Sequence, residues 1–330
     1  LNTALTWAHP GQVNAAGIMD CLPHVANLSA PIVVRSENPV GVRGHCLFTH
    51  RASVDICHVR FEELGRTRKG PLNNTTFDAS GNVTHIGTNQ KGRYPVHFHH
   101  CLGPTDDDSL PDLPFQFRLV GCAVETNDDI KWPITRHGSS WGGVIGNAIV
   151  GGWGAGIMDE TGTEIENLIE GNFIARIDGT GDRADRGNGV DGSGIWMANP
   201  RNRYRSNVVS NCKYYGYVFM PAAENPRVPR FRGADTMDPA QTVVMSTVAE
   251  PLLEFAGNEV YGAMQSGLTV WNLCAATTRI RQRNVWSEVV DFKTWNLHVN
   301  GVYGYPSARL RFVRPVMRGD PVIVRNPNEK

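Results

Sequence analysis

The chain has 330 residues, of which 41% are hydrophobic and 8% aromatic, and it contains 35 glycines. Its 32 basic side chains balance 32 acidic ones, so it has no overall field that would attract nucleic acid or an anionic membrane. It also has no apolar stretch of membrane-spanning length and no long amphipathic helical pattern. These properties predict one elongated, turn-rich β domain over residues 1–330.

The segments in chain order predict short strands separated by long polar loops. Residues 1–40 contain four prolines and are predicted as a leading segment or N-terminal cap, which stacked repeat folds need at an open end. Short strands are predicted at 46–48, 54–57 and 59–61. Stretches without periodicity are predicted as loops, namely 65–91, 103–114, 178–193 and 221–242. Loops of this kind usually wall the functional groove of a repeat fold.

The beginning of the chain predicts that it is a module of a longer protein. The sequence starts at Leu1 within a segment that has no recognisable beginning, without an initiator methionine or the apolar core of a signal peptide. We therefore expect other domains of the same parent chain among its partners.

An apolar run that ends in a small residue and an asparagine recurs through the chain. The repeated asparagines are Asn147, Asn172, Asn207, Asn258 and Asn284. The first two are 25 positions apart, a period typical of a parallel β-helix, in which stacked coils align their strands and the asparagines form a ladder. The gaps of 35 and 51 leave open one coil with a long loop, then two coils or one coil with a longer insertion. The predicted fold class is therefore all-β, a parallel β-helix solenoid with long loops.

Seven cysteines are distributed along the chain. Their spacing fits neither a CxxC metal site nor a dense disulfide framework. Cys46 with Cys57, or Cys101 with Cys122, could pair across neighbouring coils, but buried free thiols explain the pattern at least as well. The odd number leaves at least one cysteine unpaired.

Six short segments share a small residue or proline followed by an apolar strand. They are 95–99, 133–137, 156–160, 194–198, 216–220 and 267–271. If these strands stack in register, alternation directs an aliphatic side chain of each strand inward, namely Val96, Ile134, Ile157, Ile195 and Leu268. His99, His137 and Glu160 would then form an exposed column on three successive coils, which lie ~4.8 Å apart.

This column is the main candidate for a functional site. Two imidazoles and a carboxylate can transfer protons, hold a divalent metal or hydrogen-bond sugar hydroxyls. Trp196 and Trp271 are predicted as flat platforms that stack on sugar rings. The alternative is structural, with histidines that satisfy backbone carbonyls and Glu160 as an ordinary surface residue.

Arg136 and Asp159 fall on the inward side in this register, which is costly unless they pair. Either they form a buried ion pair between coils, or the register slips by one and the exposed column becomes His99, Arg136 and Asp159. Adjacent strand residues face opposite ways, so Asp159 and Glu160 do not form a glycosidase dyad alone. Asp182 and Asp191 are candidate partners from loops.

No metal is predicted from these residues. The His97-x-His99 pattern is a weak metal signal without a clear third ligand. Asp106–Asp108 in the second loop leaves calcium open as a cofactor, but a solvated turn explains three acidic residues better, because calcium takes oxygen ligands from several segments.

Five short sequence motifs, which follow one another along the chain, resemble those of a known family. They are Arg43-Gly44-His45, Glu63-Leu64-Gly65, Gly92-Arg93-Tyr94-Pro95-Val96-His97-Phe98-His99, Arg136-His137-Gly138-Ser139 and Trp196-Met197-Ala198-Asn199-Pro200. Over residues 40–220 the chain is similar to the β-helix region of the cell-migration-inducing hyaluronan-binding protein, transmembrane hyaluronidase and fibrocystin-like family. The resemblance implies a right-handed parallel β-helix, a secreted or cell-surface location, contact with polysaccharide and, in two of these relatives, hyaluronan cleavage. It assigns no catalytic role to an individual residue.

Two functions compete on these observations, because a fold alone does not decide function. The first is a carbohydrate-binding module of a polysaccharide-degrading protein. The second is a polysaccharide glycosidase or lyase, and a structural spacer or adhesin ranks third. If the chain is an enzyme, the predicted catalytic residues are His99, His137, Glu160 and Asp159. The predicted substrate-binding residues are Arg93, Tyr94, His97, Arg136, Asp191, Trp196, Asn199 and Trp271. The lack of a carboxylate dyad favours binding, whereas the clustered histidine, arginine and acid favour cleavage.

Overall fold

The structure is a computed structural model that describes residues 11–103, 115–182, 189–274, 285–305 and 307–319. Within these ranges the chain is built of short β-strands with a single turn of 3-10 helix. The described residues include no helix of the length and apolar character needed to cross a membrane.

The strands are numbered in chain order. They are β1 (Gln12–Val13), β2 (Met19–Cys21), β3 (Ile32–Arg35), β4 (Cys46–Thr49), β5 (Val54–Cys57), β6 (Val59–Glu62), β7 (Thr76–Phe77), β8 (Val83–His85), β9 (Val96–His99), β10 (Phe117–Val120), β11 (Ala123–Glu125), β12 (Ile134–His137), β13 (Gly142–Ile145), β14 (Ala148–Val150), β15 (Ala155–Asp159), β16 (Leu168–Glu170), β17 (Phe173–Ala175), β18 (Ser193–Met197), β19 (Arg203–Arg205), β20 (Val208–Ser210), β21 (Tyr215–Phe219), β22 (Arg227–Pro229), β23 (Thr242–Val244), β24 (Glu254–Ala256), β25 (Glu259–Tyr261), β26 (Ser266–Val270), β27 (Ser287–Val290), β28 (Lys293–Trp295), β29 (Asn300–Gly304), β30 (Leu310–Val313) and β31 (Val316–Arg318). The 3-10 helix is Pro239–Gln241. The strands predicted near residues 46, 54 and 59 are present as β4, β5 and β6.

Three parallel sheets run the length of the molecule. The first sheet has the order β5, β10, β13, β16, β19, β24, β27, β30. The second sheet has the order β3, β6, β11, β14, β17, β20, β25, β28, β31. The third sheet has the order β4, β9, β12, β15, β18, β21, β26, β29. Each coil contributes successive strands to the three sheets, so the chain is the predicted parallel β-helix.

Alternation along the third sheet directs one set of side chains into the core. Val96, Ile134, Ile157 and Ile195 are register partners on neighbouring strands, and each is 0% exposed. Fully burying an aliphatic side chain of this size contributes about 1.5–3 kcal/mol. The inward positions predicted for this sheet are therefore correct, and the stacked apolar side chains fix its register.

A ladder of asparagines links four coils inside the turn between the first and second sheets. The Nδ2 of Asn147 donates to the Oδ1 of Asn172 at 2.9 Å, and the same bond joins Asn172 to Asn207 at 2.9 Å and Asn207 to Asn258 at 3.0 Å. These pairs are 25, 35 and 51 positions apart, so each gap holds one coil and the longer gaps hold insertions. Asn284, the fifth predicted member, lies outside the described residues.

The described part of the predicted N-terminal cap lies along the side of the β-helix. Cys21 packs against Tyr261 and Trp295 of the second sheet, and the backbone N–H of His24 donates to the Tyr261 hydroxyl at 2.9 Å. Residues 11–24 therefore cover late coils rather than the first one, because they bury an aromatic pair that the outer face of the sheet would otherwise expose. Only β3 joins the sheet itself, at its first position.

All seven cysteines are free thiols. Neither of the two disulfide bonds considered from the sequence is present, because Cys46, Cys57, Cys101 and Cys122 are all free. Burial raises the pKa of the Cys101 thiol to about 11, so this side chain is an inert part of the core. The sequence left open disulfide pairs or free thiols, and the structure has free thiols.

Candidate functional site

Two histidines stack at the carboxyl ends of neighbouring strands in the third sheet. His99 of β9 is the register partner of His137 of β12, and their ring centroids lie 4.6 Å apart with planes 16° from parallel. Glu160 follows β15, and its backbone N–H donates to the carbonyl of Arg136 at 3.0 Å. His99, His137 and Glu160 therefore lie on three consecutive coils.

A pocket of about 350 Å³ lies beside these three residues. Its lining consists of Leu47, Lys91, Gly92, Arg93, His97, His99, His137 and Glu160. The segment that precedes β9 contributes Lys91 and Arg93 and covers part of the sheet. The sequence predicts an exposed column, but Glu160 is only 7% exposed, so that prediction is wrong for this carboxylate.

Glu160 is held by three partners. His137 Nδ1 lies 2.8 Å from Glu160 Oε2, Lys91 Nζ lies 3.1 Å from Oε1, and the Tyr94 hydroxyl donates to Oε1 at 3.2 Å. Burial opposes ionisation of Glu160, but the hydrogen bond and charge of His137 and the ammonium of Lys91 outweigh it and lower the pKa of Glu160 to about 2. The side chain is a carboxylate at neutral pH, and it fixes the orientation of His137.

Tyr94 and His97 form the buried floor of the site. Burial and the nearby Glu160 carboxylate raise the pKa of Tyr94, so its phenol stays protonated. His97 is 2% exposed, and its Nδ1 lies 3.1 Å from the carbonyl oxygen of Gly92. Burial lowers the pKa of His97 to about 4, and burial and His137 lower that of His99. Both imidazoles are therefore neutral at physiological pH, and His97 Nε2 is buried without a hydrogen-bond partner among the described residues.

The structure adds His100 to the cluster, although strand alternation predicts that it faces away from His99. Its ring centroid lies 4.5 Å from that of His99 and 5.1 Å from that of His137. His100 has φ +48°, and this left-handed conformation ends the strand and breaks the alternation. Gly138 lies against it, since a Cβ on Gly138 would be 2.6 Å from His100 Nδ1. In the sequence, this contact is indicated by the alignment of residues 98–100 with residues 136–138, which places His100 opposite Gly138.

Arg136 and Asp159 form a buried ion pair inside the β-helix. Both side chains are 0% exposed, and the Tyr204 hydroxyl donates to Asp159 Oδ2 at 2.9 Å. Burial raises the pKa of Asp159, and the charge of Arg136 opposes this rise. Of the two registers left open by the sequence, the structure has the one with the inward pair. Neither residue reaches the pocket, so roles in substrate contact or catalysis do not fit their placement.

The two predicted tryptophan platforms are buried. Trp196 is 0% exposed and packs in a cluster that includes Met158 and Val218. Trp271 is 5% exposed, and its ring centroid lies 4.8 Å from that of Tyr305. The prediction of exposed stacking surfaces is therefore wrong, because loops and neighbouring strands cover the outer face of the third sheet.

Three other polar residues named from the sequence lie away from the pocket. Asn199 is 0% exposed, its Nδ2 donates to the Gly162 carbonyl at 2.7 Å, and its Oδ1 accepts the backbone N–H of Arg201 at 2.9 Å. Asp191 is buried and Asp182 is exposed, and neither lines the pocket. Asn199 thus has a structural place in a turn, and no second loop carboxylate joins Glu160 in the described pocket lining.

Two sets of side chains bring potential metal ligands together within the described residues. One set is His99, His100 and His137, and the other is His97, His137 and Glu160. In each set the nitrogen and oxygen atoms that could bind an ion lie within 4.8 Å of one another. The sequence predicts no metal because a third ligand is missing, whereas the fold supplies a third imidazole. Asp106–Asp108, where calcium was left open, lies outside the described residues.

The fold places this protein in the class of parallel β-helix proteins, and its third sheet carries a histidine-lined pocket. The sequence profile of the CEMIP beta-helix family matches residues 77–268, which include every pocket residue except Leu47. This match covers more than half of the chain, and the chain belongs to the CEMIP beta-helix family. The resemblance predicted from the residues is confirmed. No curated protein and no solved structure matches the chain.

Proposed function

We propose that the chain is an extracellular module that recognises an acidic polysaccharide of the hyaluronan class, and that one uronate unit enters the pocket beside β9 and β12. The observation that carries this proposal is the lining itself, in which Lys91 and Arg93 stand beside neutral imidazoles in a space of about 350 Å³. Family membership supports association with hyaluronan-related polysaccharide.

Each part of the lining matches one part of a uronate. The Arg93 guanidinium can hold a carboxylate through two parallel N–H bonds, which is the geometry that arginine favours. The Nδ1–H of His97 is directed at the Gly92 carbonyl at 3.1 Å, so its Nε2 remains as an acceptor, and the neutral His99 imidazole offers one donor and one acceptor for hydroxyl groups. Glu160 does not repel the ligand strongly, because Lys91 lies 3.1 Å from one of its oxygens and His137 lies 2.8 Å from the other.

Cleavage of the same polysaccharide is the second candidate. The contact of His137 Nδ1 with Glu160 resembles the way a carboxylate orients a proton-transferring histidine in hydrolytic enzymes. Against it, Glu160 is the one carboxylate in the described lining of the pocket, whereas glycoside hydrolysis generally uses two. A lyase needs only a base and a cation at the uronate, and His99 or His137 with Arg93 could supply these.

Replacing Arg93 with alanine is expected to weaken retention of hyaluronan about 10-fold to 100-fold, because a charged hydrogen bond contributes about 1.5–3 kcal/mol. Retention is measured by affinity electrophoresis of the purified chain in gels that contain hyaluronan or a neutral glucan. The matched control is Arg314→Ala, which removes an exposed arginine on a distant strand connection and is expected to leave retention unchanged.

Chain length of the polysaccharide is measured in the same samples. Retention of hyaluronan without shortening supports the recognition module. Shortening by the wild-type chain that disappears in a His99→Ala, His137→Ala double variant would replace recognition by cleavage. Equal retention of the Arg93 variant and the wild type, or stronger retention of neutral glucan, would rule out the uronate pocket.

A further inference from the structure

The three imidazoles of His99, His100 and His137 form one compact cluster. Their ring centroids are 4.5 Å, 4.6 Å and 5.1 Å apart in pairs, and one ligand nitrogen from each lies within 4.8 Å of the others. Three imidazoles are the ligand set of a class of zinc sites that keep one coordination position open.

The fold holds these three side chains in place from the backbone upward. His99 and His137 are fixed by the register of two parallel strands. His100 joins them because its left-handed backbone turns it to the same side, where Gly138 leaves space that a Cβ would fill. The cluster therefore depends on the register of two strands and on the turn that follows β9.

The outer nitrogens of two of these rings already have partners. His137 Nδ1 lies 2.8 Å from Glu160, and His100 Nδ1 lies 3.0 Å from the Thr236 hydroxyl. Protein histidines that bind metal usually make such an outer hydrogen bond with one nitrogen and use the other for the ion. Nε2 is thus left for an ion in both residues.

Glu160 fits the outer shell better than the ligand set. Its Oε2 is engaged by His137, and its Oε1 is engaged by Tyr94 and Lys91. This carboxylate, imidazole and open nitrogen reproduce the arrangement that orients histidines around zinc. In the alternative set with His97, Glu160 would bind the ion through an oxygen that already contacts a protein donor.

We propose that His99, His100 and His137 bind one divalent transition-metal ion of the zinc class, with the open coordination position facing the polysaccharide pocket. Imidazole nitrogens suit zinc, nickel, cobalt and copper, whereas calcium requires oxygen ligands, so calcium does not fit these residues. Metal binding stands independently of the glycan that enters the pocket. It excludes His137 Nε2 as a proton carrier, because one nitrogen lone pair cannot serve both.

The test is a titration of the chelator-treated full chain with Zn²⁺ alone, followed by calorimetry and by metal analysis after desalting. We expect one Zn²⁺ per chain, and no competition by excess Ca²⁺. His100→Ala is expected to lower zinc affinity at least 10-fold, and Glu160→Gln to lower it about 10-fold to 100-fold through loss of the outer contact. Neither measurement requires polysaccharide, so failure here is distinct from failure of the proposed recognition.

The matched control is His58→Ala. His58 also has a left-handed backbone and lies against a glycine, Gly121, but it belongs to neither metal-ligand set. Its variant is expected to bind zinc like the wild type. Loss of zinc binding in His58→Ala equal to that in His100→Ala would overturn the proposal.

A second measurement uses the wild-type chain alone, so it tests the metal site even if the variants fold poorly. Co²⁺ bound by three imidazoles and a fourth ligand gives the strong visible absorption of a tetrahedral site, and Zn²⁺ is expected to displace it in equal amount. Absence of both zinc uptake and this absorption in the folded wild type would refute the site.

Discussion

Replacing Arg136 with alanine is expected to lower the free energy of unfolding by about 3–5 kcal/mol. The side chain is 0% exposed and pairs with Asp159, which is also 0% exposed. Without the guanidinium, the carboxylate keeps the Tyr204 hydroxyl as a hydrogen-bond donor but loses its counter-charge in the interior. Urea denaturation followed by circular dichroism measures the change.

Two further variants separate the loss of the charge partner from other effects. Arg136→Met combined with Asp159→Leu removes both charges, and we expect it to recover most of the lost stability, because an apolar pair needs no desolvation of ions. Arg314→Ala breaks an exposed ion pair with Asp291, which solvent screens, so the urea midpoint should barely move. If Arg136→Ala and Arg314→Ala shift the midpoint equally, the buried pair does not stabilise the fold.

Replacing Asn172 with alanine is expected to cost about 3 kcal/mol or more in stability. Its Oδ1 accepts the backbone N–H and the Nδ2 of Asn147 at 3.0 Å and 2.9 Å, and its Nδ2 donates to the Val144 carbonyl at 2.8 Å and to Asn207 at 2.9 Å. Each buried polar group left without a partner costs about 1–3 kcal/mol. The sum is reduced wherever water enters the space.

Hydrogen exchange of backbone amides measures the loss of stability in the Asn172→Ala variant and shows where in the fold it occurs. The amide of Asn147 is expected to lose protection, since its acceptor is removed, while amides of coils beyond the ladder keep theirs. Asn82→Ala in the exposed β7–β8 turn is the control and is expected to change stability little. Uniform loss of protection along the molecule, with no excess at Asn147, would contradict a local role for the ladder.

The register of the third sheet could be predicted from the residues alone. Each strand begins after a proline or small residue and places an aliphatic side chain at the same offset, so Val96, Ile134, Ile157 and Ile195 align without knowledge of the loops. The same offset then aligns His99 with His137. The choice between a buried pair and a slipped register at Arg136 could not be made this way, because it depends on Tyr204 from a later coil.

The sequence by itself determined the parallel β-helix and the alignment of the histidines, because short apolar strands with the same internal offset recur along the chain. It also marked the asparagines of the ladder, but it left the number of coils in the gaps of 35 and 51 positions open. Only the tertiary structure decided which aligned residues face solvent. Trp196 is covered, Lys91 lies against Glu160, and His100 joins the imidazoles through a left-handed backbone. These outcomes depend on loops without periodicity and on contacts between distant segments, and such contacts leave no regular pattern in the sequence.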